Sequence, residues 1–246
     1  MDRQRKAIFF DVDDTLYDYL IPFRKAAEQT AGEDESFPYE AAYRRLRYYS
    51  DTLSEELGGA GSMESGDSLA FMRRERFRRT FAEFGIALTD DEAEAMQAAY
   101  NGCQYDIAMF PGARELLAAL VAEGHLVGLI TNGAASHQQR KIDAMMLDGL
   151  IRPEHRFISG AVGWDKPDKR LFRHVNERTG TLPEHCVYIG DSWRNDVVGA
   201  LGAGWTAVWF NHRGARPESG HRPHHTAASY AELKELLLRL HILIET

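Results

Sequence analysis

The apolar run Ala7-Ile8-Phe9-Phe10 stops abruptly at Asp11-Val12-Asp13-Asp14-Thr15, and that junction constrains the fold more than any other stretch of the chain. Four apolar residues without alternation suit a strand buried on both faces, as in a parallel sheet covered by helices on either side. The carboxylates then stand at its carboxyl end, the edge at which open α/β sheets bind ligands. Asp11 and Asp13, two residues apart, leave an extended backbone on the same side. Like charges held that close call for a cation, a shared proton, or both. Asp14 points elsewhere and, with Thr15, is expected to hold the turn through side-chain to backbone hydrogen bonds. Taken alone the stretch admits a second reading, a capping cluster after a strand, because Asp and Thr are ordinary turn residues.

Beyond Leu16 a turn-like passage over 17–23 feeds a helical stretch through Lys25, Ala26, Ala27 and Glu28. From there to Tyr105 the periodicity predicts helices over 39–57, 68–84 and 90–100 and no strand, with Leu69, Met72, Phe77, Phe81 and Phe84 at helical spacing. Thr89 before Asp90, Asp91 and Glu92 reads as an N-cap followed by acids in the first turn. Residues 58–62, rich in glycine, read as a flexible loop between two helices. From Phe110-Pro111-Gly112 onward strands alternate with helices: strands over 126–131, 157–160, 186–190 and 206–210, and helices up to Gly124 and over 136–146, 169–178, 195–201 and 230–240. This alternation predicts an α/β fold, a Rossmann-like parallel sheet joined by the N-terminal strand. Residues 1–17 and 106–246 form the core, and 18–105 form a helical insertion between the first and second strands.

The second, third and fourth strands each end on polar residues that such a sheet would bring beside Asp11. Thr131-Asn132-Gly133 offers a hydroxyl, an amide and a glycine N–H able to approach an anion closely. Lys166, in Trp164-Asp165-Lys166-Pro167-Asp168, offers a point charge, and Gly190-Asp191-Ser192-Trp193-Arg194-Asn195-Asp196 adds the carboxylates of Asp191 and Asp196. Singly these are a turn, a solvated lysine and an N-cap; at successive strand tips they form a set. The formal charge of -8, from 29 basic and 37 acidic residues, argues against a nucleic-acid polymer as partner. No apolar run approaches the roughly 20 residues that cross a bilayer. Met1-Asp2-Arg3-Gln4-Arg5-Lys6 leads into a strand instead of a secretory apolar region, so a cytoplasmic protein without membrane contact is expected. Cys103 and Cys186 are far apart in sequence and read as free thiols in a reducing compartment.

The order Asp-x-Asp-x-Thr, a hydrophobic strand ending in Thr-Asn-Gly, Lys-Pro, and Gly-Asp-x-x-x-Asn-Asp resembles the haloacid dehalogenase-like phosphohydrolase superfamily from about Ala7 to Phe210. The helical insertion is similar to that family's four-helix cap. Trp193 and the pair Asp13-Asp14 resemble a branch containing pyrimidine nucleoside 5′-monophosphatases and acylneuraminate phosphatases. The resemblance, like the residues themselves, points to Asp11 as a nucleophile that forms an aspartyl-phosphate. Asp13 is expected to protonate the leaving oxygen and then deprotonate the hydrolytic water, with a pKa raised by its anionic neighbourhood. The resemblance also turns the Asp13 backbone carbonyl toward the metal. Mg²⁺ takes hard oxygen ligands and keeps several waters, so Asp11 and Asp191 with phosphate and water are a sufficient set. Asp196 is expected to orient a metal-bound water or to hold Lys166. Lys166 and Thr131, with Asn132 beside them, would neutralise and hydrogen-bond the phosphoryl oxygens.

Asp13 also separates branches of the superfamily, because enzymes that dehalogenate haloalkanoates lack an acid at that position. A phosphonate hydrolase would need a Schiff-base lysine in the cap. Lys25 is the only lysine between Lys6 and Lys141, and its neighbours give no reason for a lowered pKa. A P-type pump is excluded by the missing membrane spans. A catalytically silent binding module is disfavoured by the intact set Asp11, Asp13, Lys166 and Asp191. Selectivity then falls to the cap and nearby loops, with Tyr17, Tyr19, Tyr48, Tyr49, Arg73, Arg76 and Trp193 as candidates to meet the leaving group and Trp193 at the entrance. The pairs Tyr48-Tyr49 and Arg73-Arg74 read instead as packed aromatics and a solvated helix face. His221, His224 and His225 read as an exposed loop in preference to a transition-metal site, and the glycines over 199–204 close a helix before a strand, unlike a dinucleotide loop. The expected activity is Mg²⁺-dependent hydrolysis of small phosphorylated metabolites by a monomer or homodimer. Nucleoside 5′-monophosphates come first as substrates, with sugar phosphates or acylneuraminate phosphates as the alternative.

Overall fold

The computed structural model describes residues 5–32, 34–58 and 66–244. Strand β1 (Ala7–Phe10) is followed by the four cap helices α1 (Leu20–Ala31), α2 (Tyr39–Glu56), α3 (Asp67–Ala82) and α4 (Asp90–Cys103). The chain continues through α5 (Ala113–Ala122), β2 (Leu126–Thr131), α6 (Ala135–Ala144), β3 (Arg156–Ile158), the short α7 (Ser159–Val162), α8 (Lys169–Thr179) and β4 (Cys186–Gly190). A π-helical turn, Trp193–Val198, runs into α9 (Gly199–Gly202) before β5 (Thr206–Phe210), β6 (His225–Ala227) and α10 (Tyr230–Arg239). The six strands form one sheet in the order β3-β2-β1-β4-β5-β6, and every pairing is parallel. The order reverses between β1 and β4, and the crevice at such a switch point is where doubly wound sheets bind ligands.

All four residues of β1 are buried, and they divide between two cores. Ile8 and Phe10 pack with α5 and α10 on one face, while Phe9 meets Trp205 at 5.2 Å between ring centroids on the other, where α8 contributes Leu171, Phe172 and Val175. The first core is continuous with the aromatic interior of the cap, which includes Phe23, Tyr43, Phe77, Phe81 and Tyr100. Leu16, Tyr17 and Tyr19 belong to the same cluster and carry it from sheet to cap. Thr89 caps α4 in a full capping box with Glu92. That arrangement satisfies two backbone donors at the helix start.

Three expectations change. The strand predicted over 157–160 stops at Ile158, where α7 begins. The helix predicted from residue 195 opens earlier as a wide turn in which the Val197 N–H donates to the Ser192 carbonyl at 3.2 Å. The histidine passage is not all loop. Residues 225–227 pair with Val208–Phe210 as an edge strand, and His224 Nδ1 accepts from the Ala207 N–H at 3.1 Å. A three-residue edge strand has too few positions for alternation to register, and its pairing comes from β5 alone. Of the glycine-rich loop expected over 58–62, residues 59–62 lie outside the described residues. Cys103 and Cys186 are buried and unpaired, and no helix among the described residues is long and apolar enough to cross a membrane.

Candidate active site

Phe10 lies level with Ile189 on β4 and Leu129 on β2, so Asp11 and the Gly190-Asp191 corner leave neighbouring strands side by side. Asp11 N–H still donates to the Ile189 carbonyl at 2.9 Å, which fixes the first carboxylate before the chain turns away. Oxygens of Asp11, Asp191 and Asp196 all lie within 4.8 Å of one another. The wide turn after β4 brings Asp196 back against the strand tip, where its Oδ2 accepts from the Ser192 N–H at 2.9 Å. Only glycine fits beneath it: a Cβ on residue 190 would stand 2.3 Å from Asp196 Oδ2. Thr15 closes the corner, its Oγ1 accepting from the Asp191 N–H at 3.1 Å.

Lys166 is 4% exposed, and its Nζ donates to Asp11 Oδ1 at 2.7 Å, Asp196 Oδ1 at 2.7 Å and the Tyr188 hydroxyl at 2.8 Å. The Tyr188 hydroxyl in turn donates a hydrogen bond to the Ile130 carbonyl at 2.7 Å, so the ammonium sits in a fully directed network. Burial opposes the charge on Lys166, yet the adjoining Asp11 and Asp196 carboxylates hold its pKa above the ordinary lysine value. One ammonium is too little for this many carboxylates. Burial, with repulsion from Asp196 and Asp13, pushes Asp11 up to about 7 against the pull of Lys166. Burial and the negative charge of Asp14 raise Asp191 well above the carboxylate range.

Asp13 departs from expectation. Its carboxylate turns from the acidic cluster into a positive pocket: Lys141 Nζ donates to both of its oxygens at 2.9 Å, Tyr17 OH at 2.5 Å and Gln138 Nε2 at 3.0 Å. Burial alone would raise its pKa, but Lys141, Arg47 and the Tyr17 hydrogen bond outweigh it and hold the group below the ordinary range. The anionic neighbourhood expected for Asp13 is thus replaced by a cationic one. Lys141 escaped the motif reading, although it carried a signal. It lies three residues after Gln138 and one before Ile142 on the buried face of α6, and a lysine on an apolar stripe demands a partner.

Asp14 does hold the turn, accepting from the Tyr19 N–H at 2.9 Å, with its backbone at φ 59°. It also joins three parts of the chain, taking hydrogen bonds from Tyr43 in α2 at 2.5 Å and from Arg213 beyond β5 at 2.7 Å. Thr131 is 1% exposed and lines the same cavity as Asp11, Asp13 and Lys166. Asn132 lines it too, but its amide is engaged with the backbone of Lys166, donating to the carbonyl at 2.9 Å and accepting from the N–H at 2.8 Å. It is a brace for the lysine loop. The Gly133 N–H, expected to face an anion, donates to Ser159 Oγ at 2.9 Å.

Trp193 was expected to line the entrance and does not. Its side chain is 4% exposed, packed edge-on against Trp209 at 4.8 Å and hydrogen-bonded to Ser219 at 2.8 Å, because the wide turn points its first residue into the protein. Of the other cap candidates, Tyr19, Arg73 and Arg76 line the cavity. Tyr17 is buried against Asp13, Tyr48 is exposed, and Tyr49 pairs with Glu83 outside the site. Leu69 and Met72, placed by periodicity on an apolar helix face, are cavity lining as well. The cavity measures about 240 Å³ and lies between the strand tips and α2, α3 and α4. Among the described residues Asp11, Asp191 and Asp196 are the one cluster of three such side chains close enough together to hold a metal ion.

The chain resembles known proteins over most of its length. The profile of the haloacid dehalogenase-like hydrolases matches residues 5–204. Phosphoserine phosphatase of Thermus thermophilus is 33% identical over 235 residues, covering 87% of this chain and 91% of that one. Pyrimidine 5′-nucleotidase YjjG of Escherichia coli is 30% identical over 161 residues, covering 65% and 70%. A crystal structure of a dehalogenase superposes with a TM-score of 0.74 at 21% identity, covering 96% of this chain and 99% of that one, a likeness of fold.

Proposed function

The chain belongs to the haloacid dehalogenase-like hydrolases, and from that footing we propose that it hydrolyses small phosphomonoesters with Mg²⁺ through an aspartyl-phosphate on Asp11. The observation that carries this reading is the convergence of Asp11, Asp191 and Asp196 within 4.8 Å of one another, with one buried ammonium bonded to the first and the last. The donor set is all carboxylate oxygen, as a hard cation requires. The raised pKa values of Asp11 and Asp191 express a shortage of positive charge that a divalent ion would meet. Asp11 and Asp191 would hold the ion, with the Asp13 backbone carbonyl as the further ligand and Asp196 fixing Lys166. Bound there, Mg²⁺ would supply neutralisation of phosphoryl charge and orientation of the ester.

The protein groups then divide the work. The Asp11 carboxylate attacks phosphorus; the bond to the ester oxygen breaks, and that oxygen takes a proton from Asp13. Because the free site holds Asp13 ionised, the proton comes with the substrate, whose monoanion loses it with a pKa near 6. In the second half Asp13 removes a proton from water, the water oxygen bonds to phosphorus and the bond to Asp11 breaks; the proton leaves with the released phosphate, which returns Asp13 to its ionised state. Lys166 and the Thr131 hydroxyl stabilise the phosphoryl oxygens throughout. Asp13 is also the ground for preferring phosphate esters to haloalkanoates, since a departing halide needs no proton.

The named relatives act on phosphoserine and on pyrimidine nucleotides, whose leaving groups are an amino acid that carries a carboxylate and an uncharged nucleoside. Nucleoside 5′-monophosphates were the first expectation, with sugar or acylneuraminate phosphates as the alternative; of the side chains named to meet the leaving group, Trp193 is buried and Tyr19, Arg73 and Arg76 line the cavity. We assign residues 18–105 to the cap, the remainder to the core, and the protein to the cytoplasm. The test is phosphate release from a panel of phosphorylated metabolites and p-nitrophenyl phosphate with Mg²⁺, with and without chelator. Release that disappears on chelation is expected; turnover indifferent to chelation, or none from any ester, would overturn the reading.

A further inference from the structure

Helix α3 carries five arginines, and they fall into two groups. Arg74 pairs with Asp90 at 3.4 Å and Glu94 at 3.0 Å, Arg78 with Asp90 at 3.1 Å, and Arg79 with Glu75 at 2.9 Å. Arg73 and Arg76, three apart and so on one face, line the cavity instead, and among the described residues neither has a carboxylate partner. The other cations of the cavity wall are all matched: Lys166 with Asp11 at 2.7 Å, Lys141 with Asp13 at 2.9 Å, Arg47 with Asp14 at 3.9 Å, and Arg194 with Glu55.

Neutral groups aim Arg76 without discharging it. Its Nη2 donates to Gln97 Oε1 at 2.7 Å and its Nη1 to Ser50 Oγ at 3.2 Å, and its guanidinium lies 5.2 Å from the Tyr100 ring centroid. Its Nε is buried with no acceptor. Arg73 beside it feels burial and the repulsion of Arg76, which lower its pKa. The field reaches across the cavity: burial first, then Lys141, with Arg73 and Arg76 contributing, drives His137 down to about 3, so it stays neutral. Two neighbouring guanidinium groups, partly out of water and without a counter-ion, one of them fixed by hydrogen bonds, are costly unless an anion joins them, and their forked donors match carboxylate or phosphate oxygens.

We propose that Arg73 and Arg76 form a second anion site in the cap wall, which takes a carboxylate or phosphate on the leaving group while Asp11 and Lys166 hold the phosphoryl group. The site rests on the phosphomonoesterase reading for the position of the phosphoryl end, and it makes phosphorylated acids or bisphosphates the substrate class. Neutral leaving groups would leave the two charges unmatched.

The experiment compares kcat/KM for glycerol 3-phosphate, 3-phosphoglycerate and propane-1,3-diol bisphosphate with Mg²⁺; the last two separate carboxylate from phosphate. The wild-type protein should prefer an anion-bearing ester to glycerol 3-phosphate by about 10–100-fold. Arg73→Gln and Arg76→Gln should bring that ratio near one, chiefly through KM, and Arg76→Lys should restore part of it. Turnover of p-nitrophenyl phosphate with a wild-type ratio near one, or a ratio that survives both Gln variants, overturns the anion site and leaves the phosphatase reading standing. Absence of turnover on every ester overturns the phosphatase reading; the anion site is then judged by calorimetric titration of Asp11→Asn protein with 3-phosphoglycerate, the bisphosphate and glycerol 3-phosphate. Tighter binding of either anion-bearing ester that is lost with Arg73→Gln supports the site, and equal binding of all three overturns it.

Discussion

The two walls of the cavity handle charge in opposite ways. At the strand tips every cation is already spent: Lys166 is clamped between Asp11 and Asp196, and Lys141 is chelated by Asp13. On the cap wall Arg76 is oriented by a serine, a glutamine and an aromatic ring, and neither it nor Arg73 beside it is neutralised by a carboxylate among the described residues. A wall whose cations are all taken up by its own carboxylates, and whose surplus negative charge a divalent ion would meet, is preorganised for one chemistry on any ester. A wall with unmatched charge waits for the substrate to complete it. The difference separates reaction from selection, with the first built on β-strand ends and the second on a helix face.

Variants of the strand-tip wall should abolish rate, and those of the cap wall should change ranking. The largest effect belongs to Asp11→Asn, which should lower phosphate release by at least about 10⁴-fold while the circular dichroism spectrum stays native. Turnover near the wild-type level would remove the nucleophile from this wall. Asp13→Asn should cost about 10²–10⁴-fold with alkyl phosphates and distinctly less with p-nitrophenyl phosphate, whose leaving group needs little protonation. Equal losses for both esters would strip Asp13 of its acid role. Lys141→Met should cost roughly 10²-fold and reproduce the leaving-group dependence of Asp13→Asn, because it acts by positioning that carboxylate. A loss independent of the leaving group would reduce Lys141 to a structural residue. Trp193→Phe, smallest in its effect on catalysis, should lower stability by about 1–3 kcal/mol in denaturant titration and leave the substrate ranking as it was. A changed ranking would return Trp193 to the site.

The strand-tip wall was readable before any coordinates because a buried parallel strand can keep no charge along its length, so Asp11, Thr131 and Asp191 had to stand at ends. The same reading assigned Asp13 the wrong neighbourhood, since Lys141 lies 128 residues away in sequence and its approach depends on how α6 packs. Trp193 failed for a local reason. An i→i+5 turn rotates its first residue inward, and residue type alone does not distinguish that turn from an α-helical start.

What the amino-acid order determined by itself was five of the six strands, the inserted helices and the presence of carboxylates at the tips of β1 and β4, because hydrophobic periodicity and the cost of burying charge act locally. Only the tertiary structure decided which partner each charge received. Those partners come from helices and loops far along the chain, placed by packing of the shared core, and that placement left Asp13 matched and Arg73 and Arg76 open.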